Sequence, residues 1–533
     1  MTSSVAPALK ERTESAQETQ EETTVMTARR PGRRAVMVSA VLTQLMIVLD
    51  LTIIAIALPR MQDDLGMTVS QSPWTVTGYS LAFGGLVLFG GRLCAVVGIR
   101  RSYQVGLIGF GVASLAAGMA TSFPILLVAR VAQGCFGALL APTSQSLLNV
   151  TFTERTERER VFAIFGATGG LGAAVGLLVG GALTDWISWR WALYINILLA
   201  TAALLIGQRS LPPADQRDHG SRITDDLTGL VLGCGACFSA VYGLDRAQQT
   251  SWTSTSTVSW LALGGIAAVL FVVRERFANR PVLPLSMMAL PVRAASYATQ
   301  FIAGAAQMGA IIYLTYYMQN HFGYSPFKSG VVFLPMVLSL IATAIPAGRV
   351  IVPRLGARGT LPLGLAVLTG SFLIFSRMTT QSSYSQVALP GLIVFGIGLG
   401  LTMPVTFNSG TRGVDAKRTG LASAILSAAQ QIGGSFGVAL MTSYATQHAE
   451  DYVAEHSEEV RAAAMEAMMR AQTLPQSPAG KQIIEALKAQ LVDRAQLEAY
   501  AGGFTMMAWI LAGAGAALVA CGIAVSVRRR RTR

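Results

Sequence analysis

The chain is 533 residues long, 52% hydrophobic and only 13% charged, with a mean hydropathy of +0.49 and a net charge of +13. Such an apolar excess excludes a soluble globular protein, and the basic residues sit in short loops between apolar runs, where they read as topology signals and anionic-lipid contacts rather than as a nucleic-acid surface. Cys94, Cys135, Cys234, Cys237 and Cys521 all fall in or beside apolar segments, which excludes a disulfide framework, and Cys234-Gly235-Ala236-Cys237 reads as small-residue helix packing rather than a metal or redox pair.

Residues 1–34 are polar, rich in Glu, Thr and Ser, and predict a disordered cytoplasmic tail. The first apolar run, 35–58, contains Asp50. A charged side chain near the centre of a bilayer helix costs about 2.5–3.5 kcal/mol on insertion scales, so an acid there calls for a task that only a buried, titratable group performs. Further spans are predicted near 74–90, 103–120, 125–148, 161–183 and 191–207, completing a six-helix bundle over 35–207. A cytoplasmic loop at 208–226 leads to two inserted spans near 227–244 and 259–273, within 227–275. A second six-helix bundle over 276–527 has spans near 294–318, 330–350, 361–375, 387–408, 421–444 and 503–527, followed by a basic cytoplasmic tail at 528–533. The expectation is an all-α polytopic membrane protein of about fourteen transmembrane helices, two six-helix bundles plus two extra helices.

Segment 446–501 is too long for an ordinary connection and predicts an extracytoplasmic helical loop, with helices near 449–471 and 480–500 around Leu474-Pro475-Gln476-Ser477-Pro478. It would gate exit, contact a partner or simply cap the surface. With both termini placed in the cytoplasm, the Arg clusters at Arg29–Arg34, Arg92–Arg101, Arg155–Arg160, Arg274–Arg293, Arg349–Arg358, Arg412–Arg418 and Arg528–Arg533 share one side, as the positive-inside rule requires of a multi-pass cell-membrane protein. Gly91-Arg92 followed by Gly98-Ile99-Arg100 is echoed by Gly348-Arg349 followed by Gly356-Ala357-Arg358, which hints at two homologous halves.

Arg130, in the fourth span, is a second buried charge; it needs a carboxylate or several carbonyls, and Asp50 is the candidate partner. Gly172, Gly176, Gly180 and Gly181 in the fifth span form overlapping small-residue patterns that let helices approach closely. Trp186, Trp189 and Trp191 then mark an interfacial aromatic belt. Nothing in the chain resembles a nucleotide-binding loop, a metal cluster or a nucleophile–base pair, so an enzyme and ATP-driven transport are disfavoured and no metal or cofactor is expected.

Taken together, the chain resembles the fourteen-span drug:proton antiporters of the major facilitator superfamily over nearly its whole length. Leu49-Asp50-Leu51-Thr52 through Ala57-Leu58-Pro59 is similar to that family's first-helix signature, and Trp74-Thr75-Val76-Thr77-Gly78-Tyr79 to its second-helix opening. Arg130 to Gly134 resembles the fourth-helix Arg motif associated with proton transfer. The fifth-helix glycines followed by Trp189-Arg190-Trp191 and Asn196 resemble the antiporter motif, and Gln430-Gln431-Ile432-Gly433-Gly434 is typical of the second half. Gly91, Leu93, Gly98, Arg100 and Arg101 match the loop motif after the second helix, but Ala95 stands where that motif has Asp, so its charge latch is weaker or built from other groups. Leu177 replaces a Pro of the antiporter motif, so the fifth helix is expected to be straighter there.

The resemblance implies alternating access and proton-coupled efflux of an amphipathic drug or antibiotic, giving resistance, with the proton gradient as energy source, Asp50 and Arg130 coupling protons, and the loop and fifth-helix residues governing the conformational change. Cavity candidates are Gln44, Gln307, Tyr313, Tyr317, Asn408 and Gln430. The expected partners are a small amphipathic substrate, protons and membrane lipid, in a monomer. The alternatives are proton-coupled uptake of a small metabolite and a non-transporting membrane sensor.

Overall fold

The structure is a computed structural model; it describes residues 30–68, 71, 74–208, 210–211, 226–278, 281, 287–288, 290–414, 419–470 and 478–531. Most of the predicted N-terminal tail, most of the 208–226 loop and the break at 474–477 lie outside the described residues.

In chain order the helices are α1 (Arg30–Leu65), α2 (Trp74–Val97), α3 (Ile99–Gly118), α4 (Phe123–Thr151), α5 (Arg155–Trp186), α6 (Trp189–Gly207), α7 (Leu227–Gln249) and α8 (Thr255–Phe277). Then come α9 (Pro291–Tyr316, continuing as the wider turn Tyr317–His321) and α10 (Pro326–Val332, Leu334–Pro346 and the wider turn Ala347–Ile351). The last four are α11 (Val352–Phe375), α12 (Leu389–Thr411, entered through Tyr384–Ala388), α13 (Thr419–Arg470) and α14 (Pro478–Arg531). Eleven described segments are long and apolar enough to cross a membrane; one of them, Phe327–Phe375, holds both α10 and α11, divided at Gly356. With α3 and α5, which pack among these as passes, the described residues make fourteen passes of an all-α polytopic membrane protein.

Helix boundaries follow local chemistry. Ser188, Asp226, Ser254 and Ser325 each accept a hydrogen bond from a first-turn N–H of α6, α7, α8 and α10, and Ser383 with Gln386 closes a capping box ahead of α12. Proline stands in the first turn of α4, α9, α10 and α11, where its missing N–H is unneeded. The first helix runs past the predicted end at 58 and stops at Gly66, whose φ of 59° is the left-handed conformation that ends helices. The hairpin after α13 also differs from expectation: α13 and α14 continue from span into hairpin without a break, because the Ala- and Glu-rich sequence around 445–470 offers no Gly or Pro to stop the helix.

Pairings repeat between the halves. In the first, α1 packs on α5 and α6, α2 on α4, and α3 on α4 and α6; in the second, α9 packs on α13 and α14, α10 on α12, and α11 on α12 and α14. The two turns that carried the sequence echo share a backbone device, since Gly98 (φ 95°) joins α2 to α3 and Gly356 (φ 66°) joins α10 to α11. A side chain at either glycine would be strained. Glycines also set the closest approaches in both halves: Gly134 of α4 lies against the Tyr79 carbonyl and Gly176 of α5 against Thr52. Likewise Gly396 of α12 lies against the Met336 carbonyl, and Gly433 and Gly437 of α13 against the backbone at Phe301 and Ala305. The Gln430–Gly434 motif thus works as a helix-packing surface on α9.

The inserted pair α7 and α8 pack on each other, and α7 lies between the halves, with Val241 and Phe238 against Gly84 and Gly85 of α2, and Leu244 and Ala247 clustered with Ala439 of α13. Gly437→Val is expected to force α9 and α13 apart and destabilise the fold by about 1–3 kcal/mol. Gly265→Val on α8, with no atom within 4 Å to meet the new side chain, is the control; thermal unfolding in detergent should separate the two.

Candidate functional site

Asp50 is fully buried, and its neighbours come from four other helices. Arg130 Nη1 of α4 donates to Asp50 Oδ2 at 2.6 Å, and both side chains are 0% exposed. Gln133, three residues on and so on the same face of α4, accepts from Arg130 Nη1 at 2.8 Å and donates from Nε2 to Asp50 Oδ1 at 3.2 Å and to Ser114 Oγ of α3 at 2.7 Å. Asn196 Nδ2 of α6 donates to Asp50 Oδ1 at 2.6 Å. The guanidinium is completed by α2: Arg130 Nε donates to the Thr75 carbonyl at 3.1 Å, and Cζ lies 4.6 Å above the Tyr79 ring.

Burying two charges is expensive, and the low-dielectric attraction between them offsets that only where the remaining lone pairs and N–H groups are bonded. Most are bonded here, through short charge-assisted contacts. Four buried polar atoms of these residues nevertheless have no partner: Thr75 Oγ1, Tyr79 OH, Arg130 Nη2 and Asn196 Oδ1. The site is a polar knot, fully packed yet incompletely saturated. The sequence had supplied Asp50 and Arg130; Gln133 was recoverable from its spacing to Arg130, whereas Ser114, Thr75 and Asn196 were brought to the carboxylate by packing alone.

The glycines of α5 shape the wall behind Asp50. Gly172 lies against Val48 and Leu45, Gly176 against Thr52 and the Leu49 carbonyl, and Gly180 against Ile53, so α5 touches the stretch of α1 that bears the acid; Gly181 is buried beside them. Thr52 Oγ1 turns back to the Leu49 carbonyl at 3.0 Å. A further knot ties the same helices, with Tyr103 OH bonded to Ser39 Oγ (2.8 Å) and Thr43 Oγ1 (2.6 Å), and Ser39 Oγ donating to the Ala203 carbonyl. The loop residues stay at the face where α1 begins: Gly91 and Gly98 are buried, Leu93 is half-buried, Arg100 Nη2 donates to the Gln208 carbonyl at 3.4 Å, and Arg101 is exposed.

The predicted cavity residues do not converge on one place. Gln44 is half-buried on α1. Gln307 is buried on α9 with Oε1 unpartnered, and half-buried Gln430 on α13 directs Nε2 to Met403 Sδ at 3.9 Å, with Gln300 Nε2 on the same sulfur at 3.7 Å. Tyr313 packs edge-on against Tyr500 of α14 (5.1 Å) and Tyr317 stacks on His321 (5.1 Å), which pairs with Asp493 at 3.7 Å, so these tyrosines face the hairpin end of α9. Asn408 accepts from Arg158 Nε at 3.1 Å, across the two halves. Thr411 Oγ1 to Asn149 Oδ1 (3.2 Å), Gln145 Nε2 to Ser427 Oγ (3.1 Å) and the edge-on Phe165–Phe407 pair (6.0 Å) join the halves at the same face, where Ala95 replaces the acid of the loop motif.

At the opposite end of α1, Arg190 Nη1 donates to Asp64 Oδ2 at 2.6 Å and Trp189 Nε1 to the same oxygen at 3.1 Å, with the guanidinium 4.4 Å over the Trp189 ring. These hydrogen bonds, Arg190's first, hold the Asp64 carboxyl below its ordinary 3.8. A depressed carboxyl contributes stability above its unfolded value and loses it as pH falls through the folded value, so this clamp is constant through neutral pH and fails only in strong acid.

Two similar helix bundles, an inserted pair and a buried acid–base pair inside the first bundle define a polytopic membrane protein of the two-bundle transporter class. Residues 40–438 match the Major Facilitator Superfamily, and the chain belongs to it. It is 39% identical over 416 residues to the puromycin resistance protein pur8 of Streptomyces alboniger, covering 78% of this chain and 82% of that one. It is 33% identical over 406 residues to the cephamycin export protein CmcT of Amycolatopsis lactamdurans (76% and 83%). With the tetracenomycin C resistance and export protein of Streptomyces glaucescens it shares 32% over 397 residues (74% and 73%). The crystal structure of the human organic anion transporter MFSD10 matches with a TM-score of 0.54 at 13% identity, over 90% of this chain and 99% of that one, which shows the shared fold.

Arg130→Leu leaves Asp50 buried and unpaired and is expected to destabilise the protein by about 3–5 kcal/mol. Adding Asp50→Asn should recover much of the loss in a thermal-unfolding double-mutant cycle; a double variant no better than Arg130→Leu would show that charge pairing is not what Arg130 contributes. Replacing Arg158 and Asn408 together with Ala should lengthen the distance between spin labels on α5 and α12 at the face where α1 begins, and an unchanged distribution would rule out these bonds as the fastener of that face.

Proposed function

We propose that the protein exports an amphipathic antibiotic across the cytoplasmic membrane by alternating access of its two bundles, exchanging it for protons at Asp50 and so giving resistance. The observation that carries this reading is the fully buried Asp50–Arg130 pair, at 2.6 Å in the interior of the first bundle. A membrane-embedded acid with a fixed cationic partner has two states to offer, ionised and paired or neutral and unpaired, and a proton converts one to the other. The resistance and export proteins named above supply the direction and substrate class, and puromycin is the first compound to try because its resistance protein shares 39% identity with this chain.

Both termini are placed in the cytoplasm, since the face where α1 begins carries the Arg-rich loops. On that assignment the hydrogen bonds among Gln145, Asn149, Arg158, Asn408, Thr411 and Ser427 fasten the cytoplasmic ends of the bundles. One copy holds both bundles and the acid, so a monomer suffices, and the proton gradient replaces any bound cofactor.

Expression in a pump-deficient host should raise resistance to at least one of puromycin, cephamycin, tetracenomycin C and related compounds, and Asp50→Asn should abolish that rise. Inverted membrane vesicles with an imposed proton gradient should accumulate the same compound. Equal resistance from wild type and variant would end the role given to Asp50, and gradient-driven loss from preloaded inverted vesicles would reverse the direction to uptake.

A further inference from the structure

We infer that Asn196 accepts the proton that Asp50 takes up, by a half-turn of its side-chain amide. The inference rests on the proton-coupled reading of Asp50 and adds the group that makes the neutral acid tolerable where it sits.

Two amides bond the same carboxylate oxygen, Asp50 Oδ1: Gln133 Nε2 at 3.2 Å and Asn196 Nδ2 at 2.6 Å. Gln133 cannot turn. Its Oε1 accepts from Arg130 Nη1 at 2.8 Å and its Nε2 also donates to Ser114 Oγ at 2.7 Å, so inversion would set an NH2 group against the guanidinium. Asn196 is held differently, because its Oδ1 is buried with no partner in a side chain that is 0% exposed. The oxygen and nitrogen of a side-chain amide are nearly equivalent in shape, and the terminal torsion of asparagine is soft, so rotation exchanges acceptor for donor without moving the backbone.

The protonation state of Asp50 dictates which end is needed. An ionised carboxylate only accepts, and Asn196 therefore donates, leaving its own carbonyl unsatisfied. Once Oδ1 takes a proton from hydronium arriving in water, a new O–H bond forms there and no bond of Asn196 breaks. The O–H then faces an N–H, two donors in opposition, and the half-turn presents Asn196 Oδ1 to it instead. Arg130 keeps Asp50 Oδ2 as acceptor but loses the negative charge beside it. The atom left unpaired around the charged acid is thus the one the neutral acid requires, which removes the desolvation penalty of a buried carboxyl O–H.

Every helix packed on this part of α1 has been counted. The second contributes Thr75 and Tyr79, the third Ser114, the fourth Arg130 and Gln133, the fifth Gly172 and Gly176, and the sixth Asn196; Arg130 is the charged group among these contacts.

Infrared absorption during a pH titration of the purified protein in membranes tests this without any substrate. Asp50→Asn identifies the carboxyl C=O band of the neutral acid. In Asn196→Leu that band should move to higher frequency, because the carboxyl O–H has lost its acceptor; Asn196→Ser, whose hydroxyl can accept, should return it part of the way; Gln133→Leu should leave it in place. Isotope-labelled asparagine in the unmutated protein provides a second measurement that does not depend on a variant folding: one asparagine carbonyl band should shift in step with the Asp50 band. An Asp50 band at the same frequency in wild type and Asn196→Leu, or no asparagine shift, overturns the inference. Absence of any Asp50-dependent band overturns the proton-coupled reading itself, and the two failures are therefore distinct.

Discussion

The first bundle is organised around one constraint: two opposite charges placed where water cannot reach them. Asp50 and Arg130 are 0% exposed, so each must find its hydration replaced by protein groups, and α2, α3, α4 and α6 each contribute to that replacement. The requirement reaches well beyond the pair. Gln133 must sit one turn from Arg130, Thr75 must offer its carbonyl, and the Tyr79 ring must lie under the guanidinium. Moving α4 relative to α1 would therefore disturb several bonds together, which makes this cluster a stiff element of the bundle.

Stiffness in one place requires freedom in another if two bundles are to move. The close approaches within each half are lined by glycine: Gly134 at Tyr79, Gly176 at Thr52, Gly396 at Met336 and Gly437 at Ala305. Backbones this close surrender little side-chain entropy and gain dispersion along their length, so each half holds together without a hydrophobic effect, which lipid does not supply between helices. Between the halves the contacts are of another kind. At the face where α1 begins they are hydrogen bonds between neutral groups or to a single Arg, each worth only about 0.5–1.5 kcal/mol net, and such bonds can be exchanged for water during a cycle.

Much of this was legible in the sequence, and what was not has a physical reason. Length and apolarity sufficed for the spans, because lipid tolerates only helices with every backbone group satisfied. Asp50 and Arg130 stood out because charge is rare inside apolar runs. The paired turns were visible as Gly98 and Gly356, since a left-handed backbone leaves a specific residue behind. Asn196, Ser114 and Thr75 carry no such mark: a neutral polar residue in a span is unremarkable until packing puts it at an acid. The cavity candidates scattered for the same reason. Tyr313 and Tyr317 were chosen as amphipathic side chains in mid-helix, but the helices of the hairpin continue straight out of α13 and α14 and meet that end of α9. Asn408 read as a cavity amide because the sequence could not show that Arg158 lies opposite it.

The replacement of the loop acid by Ala95 gives these observations a common direction. In a chain with an acid there, part of the force closing the cytoplasmic side would be ionic and long-ranged. Here the recorded fastening consists of short-range bonds from Gln145, Asn149, Arg158 and their partners, which act only when the faces are already in register. A fastening of that type specifies the closed arrangement sharply but does little to pull the bundles toward it from a distance. In the proposed cycle the pull must then come from within the bundle, from the change at Asp50, where one proton turns a buried ion pair into a buried cation beside a neutral acid. Losing that attraction in a low-dielectric site is a larger change than any single surface hydrogen bond can resist, so the geometry assigns the decision to move to Asp50 and leaves the cytoplasmic face only to register the result.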